Sequence, residues 1–316
     1  MFIEQAYKGN NVWWRVLITT LIATGIFILN FIVYLLLSKE EIDKMYDMAK
    51  EMNKNLSLIL NLGVFVFLLG LLFFLVYFLH QRSILSLTTT RAKVDFKRVL
   101  FSLSLIVILS LVCFYVSYYY DGDNIVWNFH PLKFMVLFII SILLFPFQIG
   151  FEEYLFRGYL MQQIGIIAKN RWVPLVITSV FFGLFHSANP EVAEMGYSVM
   201  IFYIGTGLLL GILTLMDDGL ELALGFHLGN NLIAALLVTS DFSALQTDAV
   251  YKYTEVQNSS DILWEMIVSI AITYPILLFI LSKKYRWKNW KEKLTGKVDE
   301  PILIEESFNL NKENNE

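Results

Sequence analysis

Three sets of polar residues interrupt apolar stretches of this chain at helical spacing. The first is Phe151-Glu152-Glu153-Tyr154-Leu155-Phe156-Arg157, which places three ionisable groups within two turns. Charge of that density is costly in hydrocarbon and marks a functional site more often than a packing accident. Glu153 and Arg157 are four apart with the acid first, the favourable order for an ion pair on one helix face. Glu152 points about 100° away from Glu153 and has no partner nearby in sequence, so it is the stronger candidate for chemistry. The second set is Phe182 and His186, four apart at the end of another apolar run. The third is His227 and Asn231, whose polar groups share a helix face that must point into the bundle or a wet cavity. A carboxylate and two histidines on different helices can converge as a His₂Glu metal site or as a metal-free general-base site. Either arrangement activates water. A carboxylate helped by a histidine can take the proton while a second histidine and an amide donate to the oxyanion, which describes amide hydrolysis. The blander readings are an interfacial salt bridge for the first set, a packed histidine for His186 and interhelical hydrogen bonding for His227 and Asn231. No H-E-x-x-H, G-x-S-x-G or Walker-type glycine loop is present.

Residues of this kind need a scaffold, and composition says which. Of 316 residues, 57% are hydrophobic and 16% charged, with a mean hydropathy of +0.59. A bilayer is the solvent this composition fits. Apolar runs at about 13–37, 58–80, 99–119, 132–160, 172–186, 196–216, 220–239 and 262–281 predict an all-α bundle of about eight transmembrane helices. The first run is too long, and lacks the small-residue site, for a cleavable signal peptide. Basic residues alternate with the spans. One side receives Lys8, Arg15, Arg82, Arg91, Lys93, Lys97, Arg98, Lys169, Arg171 and the segment from Lys283 to Lys312. The other receives Lys39, Lys44, Lys50 and Lys54, interleaved with acids, together with Lys133 and Lys252. The positive-inside bias puts both termini in the cytoplasm. With a net charge of -4 and no basic face, nucleic acid is not a partner; membrane lipids are.

Finer features complete the expectation. Ser38–Ser57 reads as an amphipathic helix on the outer face, and Lys283–Lys293, with Trp287 and Trp290, as an interfacial anchor. Pro146 should kink the fourth helix just before Glu152. Gly207 with Gly211, and Gly225 with Gly229, permit close helix approach. Cys113 cannot form an intrachain disulfide and is expected in the core. His80 and His130, at membrane edges, carry no comparable company. The chain divides into N-terminal helices (1–131), a core with the polar sets (132–239), a loop, last helix and anchor (240–297), and a disordered tail (298–316). Counted from the helix ends at 1.5 Å per residue, His186 lies about twice as deep as Glu152 and His227. Convergence then needs a tilted fifth helix, or one that starts inside the membrane after a partly embedded connector, Met161–Ala168.

With E-E-x-x-x-R at Glu152, Glu153 and Arg157, F-x-x-x-H at Phe182 and His186, and H-x-x-x-N at His227 and Asn231, the chain resembles the CPBP intramembrane proteases over roughly 132–239. That family includes CAAX prenyl endopeptidases and Abi-like bacteriocin immunity proteins. The resemblance implies an endopeptidase of a bacterial cytoplasmic membrane, acting on a peptide or membrane-anchored protein. Glu152 and His186 would activate water, and His227 and Asn231 would stabilise the oxyanion, with Glu153, Arg157 and Phe182 in support. It leaves open a divalent metal such as zinc, held by Glu152, His186 and His227, or a metal-free mechanism. Two other readings compete: a non-catalytic immunity or scaffold protein that keeps the polar network, and a transporter using the acids as a proton relay. The absence of internal repeats counts against the transporter.

Overall fold

The computed structural model describes residues 1–240, 244–254, 267 and 269–300. Five helices in it are long and apolar enough to cross a membrane: Trp13–Leu36, Lys54–Leu79, Phe96–Tyr120, Pro131–Ala168 and Tyr197–Asp217. Shorter helices complete a mostly helical, polytopic membrane protein. In chain order the helices are α1 (Trp13–Leu36), α2 (Lys39–Glu51), α3 (Lys54–Phe74), α4 (Ile84–Thr88), α5 (Phe96–Asp121), α6 (Pro131–Glu153), α7 (Met161–Ala168), α8 (Trp172–Leu184), α9 (Pro190–Met195), α10 (Met200–Asp217) and α11 (Glu221–Leu236). The last two are α12 (Tyr274–Tyr285) and α13 (Trp290–Thr295). Seven of the eight apolar runs coincide with helices, whereas residues 262–266 of the eighth lie outside the described residues.

The fourth run is the most informative. From Pro131 to Ala168 it stays helical through Pro146, which sits on the exposed face and lacks the N–H that would bond the Ile142 carbonyl. After the acidic pair Tyr154–Leu160 forms a π-helical turn carrying Arg157. Such turns insert a residue into the ladder and recur at functional sites. The expected connector Met161–Ala168 is the helix α7, packed on a short N-terminal 3-10 helix, Ile3–Lys8. The expected outer amphipathic helix Ser38–Ser57 is divided: α2 ends at Glu51, and Asn53 caps α3 by accepting from Leu56 N.

Close backbone packing positions the helices around the acidic pair. α11 packs on α5, α10 on α8 and α3 on α6. A Cβ added to Gly207 on α10 would lie 2.8 Å from the carbonyl oxygen of Ser179 on α8, and one on Gly229 of α11 would lie 2.9 Å from that of Leu103 on α5. Backbone cannot yield as a side-chain tip does. Gly207→Ala is therefore expected to cost about 1–3 kcal/mol, read as a lower unfolding midpoint in detergent; an unchanged midpoint would contradict the close approach.

At one end of the bundle the α10–α11 turn is fastened to the start of α5. Arg91 bonds Asp217 at 2.9 Å and Glu221 at 3.1 Å, Arg98 also pairs with Asp217, and Lys293 contacts Asp218. These contacts fix the first turn of α11, six residues before His227. At the other ends of α5 and α11 lies a small sheet that the apolar pattern does not reveal. β1 (Ile125–Trp127) pairs antiparallel with β3 (Tyr251–Tyr253), which pairs parallel with β2 (Val238–Thr239).

Three other expectations change. Cys113 is exposed on α5 rather than in the core, because apolar company in a membrane helix signals lipid as readily as interior. Trp287 donates to Asp217 at 3.3 Å and so is tied to the bundle as well as to the interface. Val298, assigned to the tail, is buried with Ile3, Met161, Leu175 and Leu215, while residues 301–316 of that tail lie outside the described residues.

His80, passed over in the sequence, is a buried junction. Its Nδ1–H donates to the Asn10 carbonyl at 2.9 Å, leaving Nε2 to accept from Thr19 of α1 at 3.0 Å, with the Tyr159 hydroxyl 3.1 Å from it and donating to the Val16 carbonyl at 3.4 Å. Burial pushes its pKa below the ordinary 6.5. A base whose folded value is depressed is stabilising when neutral, so this contribution is full above about pH 6.5 and is lost as pH falls through that value. Thermal stability is expected to drop on acidification through this range, and less steeply in His80→Gln; parallel profiles would overturn the assignment.

Candidate functional site

The acidic pair faces two ways, as the 100° offset requires. Glu153 and Arg157 are fully buried, and Arg157 Nη1 donates to Glu153 Oε1 at 2.9 Å. Arg157 Nη2 donates to the Gly207 carbonyl at 3.0 Å, so the glycine that brings α10 close also supplies a partner for the guanidinium. The same Glu153 oxygen accepts Nδ1–H of His227 at 2.8 Å. Glu153 therefore does more than neutralise Arg157: it orients an imidazole from α11. That leaves His227 Nε2 facing Glu152 Oε2 at 3.6 Å, longer than a hydrogen bond. Phe182 of α8 covers this cluster, with its ring 4.4 Å from the Arg157 guanidinium and its centroid 5.7 Å from that of His227.

Glu152 opens onto a cavity of about 1200 Å³ that is also lined by Gln148, His186 and Asn231. The rest of the wall is mixed, with Asn30, Asn61, Asn189 and Glu191 among apolar side chains. Phe27 of α1 stacks between Phe151 and Phe185, with centroid distances of 5.8 and 5.1 Å, while α3 contributes Phe65 and Leu68. Gln148 Nε2 donates to Glu152 Oε1 at 3.1 Å, and Asn231 Nδ2 donates to Gln148 Oε1 at 3.3 Å. The sequence analysis did not single out Gln148. The signal was there, since an amide four residues before Glu152 in an apolar run shares its helix face.

His186 sits apart. α8 ends at Leu184, and His186 follows in the turn beyond it, one turn past Phe182. Its Nδ1–H donates to the Phe182 carbonyl at 2.8 Å, so Nε2 carries the lone pair in the neutral ring. The ring stacks on Tyr203 of α10 at 4.4 Å, and Tyr203 in turn donates to Glu191. His186 shares the cavity with Glu152.

Glu152, His186 and His227, the expected ligands of a divalent metal, do not stand together as a ligand set in this structure. Among the described residues no three His, Cys, Asp or Glu side chains are grouped so as to hold an ion.

Comparison with known proteins agrees with the motif spacing. Residues 130–233 match the family described as type II CAAX prenyl endopeptidase Rce1-like. Over 297 residues the chain is 25% identical to the uncharacterized protein YyaK of Bacillus subtilis (strain 168), covering 92% of this chain and 97% of that one. No solved structure gives a significant match. The buried Glu152, Glu153 and His227 network lies inside the matched segment, and residues 130–233 are an Rce1-like type II CAAX prenyl endopeptidase (CPBP) family domain.

Proposed function

We propose that the protein is an intramembrane endopeptidase in which Glu152 takes the proton from an attacking water. The observation that carries this reading is the asymmetry of the acidic pair: Glu153 is bonded through Oε1 to Arg157 and His227 and does not line the cavity, whereas Glu152 lines it. His186, whose Nε2 lone pair is not spent on the Phe182 carbonyl, is the second water-side group. Asn231 gives Gln148 one N–H and keeps another for the oxyanion. His227 joins it there only as imidazolium, because the single N–H of the neutral ring is spent on Glu153. Glu153, Arg157 and Phe182 hold these groups in place.

We assign the catalytic core to residues 132–239, with α3 and α5 walling it, and eight crossings with both termini on the cytoplasmic side of a bacterial membrane. Arg171 supports the last point: it bonds Glu4 at 2.8 Å and the Glu292 carbonyl at 2.8 Å, joining both ends of the described chain at one end of the bundle. The substrate is a peptide or membrane-anchored protein whose apolar part lies against the Phe27, Phe65, Phe151 and Phe185 side of the cavity.

The test is cleavage of a peptide library by detergent-purified protein, with folded Glu152→Gln alongside. Cleavage by wild type and loss in the variant supports the reading, and undiminished cleavage in the variant refutes it. No cleavage by wild type favours the scaffold alternative, for which the closed Glu153–Arg157–His227 network would be purely structural.

A further inference from the structure

The two oxygens of Glu152 have different surroundings. Oε2 is buried and faces His227 Nε2 at 3.6 Å, with no hydrogen-bond partner among the described residues. Oε1 accepts from Gln148 Nε2 at 3.1 Å, and Gln148 Oε1 accepts from Asn231 Nδ2 at 3.3 Å. One amide side chain therefore joins the α6 carboxylate to the α11 amide along the cavity wall. A primary amide suits this position because it presents a donor and an acceptor side by side, so it can satisfy a carboxylate on one side and an amide N–H on the other. Neither a hydroxyl of that reach nor a charged group does both.

A carboxylate free to rotate about its last torsion offers either oxygen to a water. One held through Oε1 keeps Oε2 turned toward His227 Nε2. The same contact orients Asn231: with one N–H directed at Gln148, the planar amide fixes where the other points. Preorganising both groups removes reorientation from the reaction step, which is where positioned dipoles gain their effect.

We propose that Gln148 is a positioning residue for the hydrolytic site, locking the Glu152 carboxylate through Oε1 so that Oε2 stays facing His227 Nε2, and turning the second N–H of Asn231 toward the cavity. The proposal rests on the endopeptidase reading for its consequence, and on the two hydrogen bonds alone for its structure.

The test uses the full chain in detergent with Gln148→Met, which matches the length without polar atoms, and Gln148→Glu, which keeps the shape but replaces the donor with a carboxylate. With a peptide that wild type cleaves, both variants are expected to lose about tenfold in kcat, with KM within about twofold and unfolding midpoints unchanged. Unchanged kcat in both folded variants overturns the proposal. A second readout needs no substrate. Infrared difference spectra at neutral pH, taken against Glu152→Gln in each background, isolate the carboxylate stretching bands of Glu152. These bands are expected to move when Gln148 is replaced. Bands at the wild-type position in both variants overturn the hydrogen bond, whether or not any peptide is cleaved. If wild type cleaves nothing, the endopeptidase reading fails while the spectra still decide the positioning.

Discussion

Glu152→Gln is expected to lower kcat for peptide cleavage by about 10²- to 10⁴-fold, the range that a positioned general base contributes, while KM changes little. Glutamine keeps the shape of the side chain, and its carbonyl oxygen can still accept from Gln148 Nε2, so the cavity wall is preserved. What disappears is the basic oxygen facing His227 Nε2 across 3.6 Å. Steady-state kinetics on a single cleaved peptide, with a circular-dichroism check of fold, measure the effect. Glu153→Gln is the informative companion. Its oxygen is bonded to Arg157 and His227 and does not line the cavity, so its loss should act through the orientation of His227 and cost stability as well as rate. A fall in kcat confined to the Glu153 variant, with Glu152→Gln fully active, would reverse the assignment.

The largest expected loss of stability comes from Arg157→Met. Both members of the Arg157–Glu153 pair are fully buried, and removing one leaves the other charged without its partner, at a typical cost of about 3–5 kcal/mol. The Gly207 carbonyl also loses its donor at the α8–α10 contact. The unfolding midpoint in detergent should fall more than in Gly207→Ala. Replacing Glu153 and Arg157 together should recover part of the loss, since the unpaired charge is then gone. A single variant as stable as wild type would mean that water or lipid headgroups reach the pair, contrary to its burial.

The comparison of sequence with structure divides along the physics of the bilayer. A helix in hydrocarbon must satisfy its own backbone, so spans are legible wherever apolar residues run long enough, and the five long helices fall on those runs. Which face of a span turns inward is much less legible. In water, burial is written as an apolar stripe; in lipid both faces are apolar. Cys113 was misplaced for this reason, and the three short strands among the described residues lay in connecting segments with no periodic pattern to report them. The acidic pair was different because polar groups in an apolar run have only one inexpensive direction. The opposed directions of Glu152 and Glu153, and the company of His227 and Asn231, follow from spacing of 3.6 residues per turn. Gln148 was equally visible but reads as ordinary until its distance to Glu152 is known.

By itself the sequence determined the membrane class, the helical spans and the separate faces of Glu152 and Glu153, because each depends on composition or on the local geometry of one helix. Only the tertiary structure decided that Glu153 is shared between Arg157 and His227, that Gln148 links Glu152 to Asn231, and that His186 lies one turn beyond the cluster against Tyr203. Those relations join residues on four helices. They depend on how closely α10 approaches α8 and α11 approaches α5, distances set by side-chain volume at Gly207 and Gly229 and by where each helix ends, rather than by any pattern within one segment.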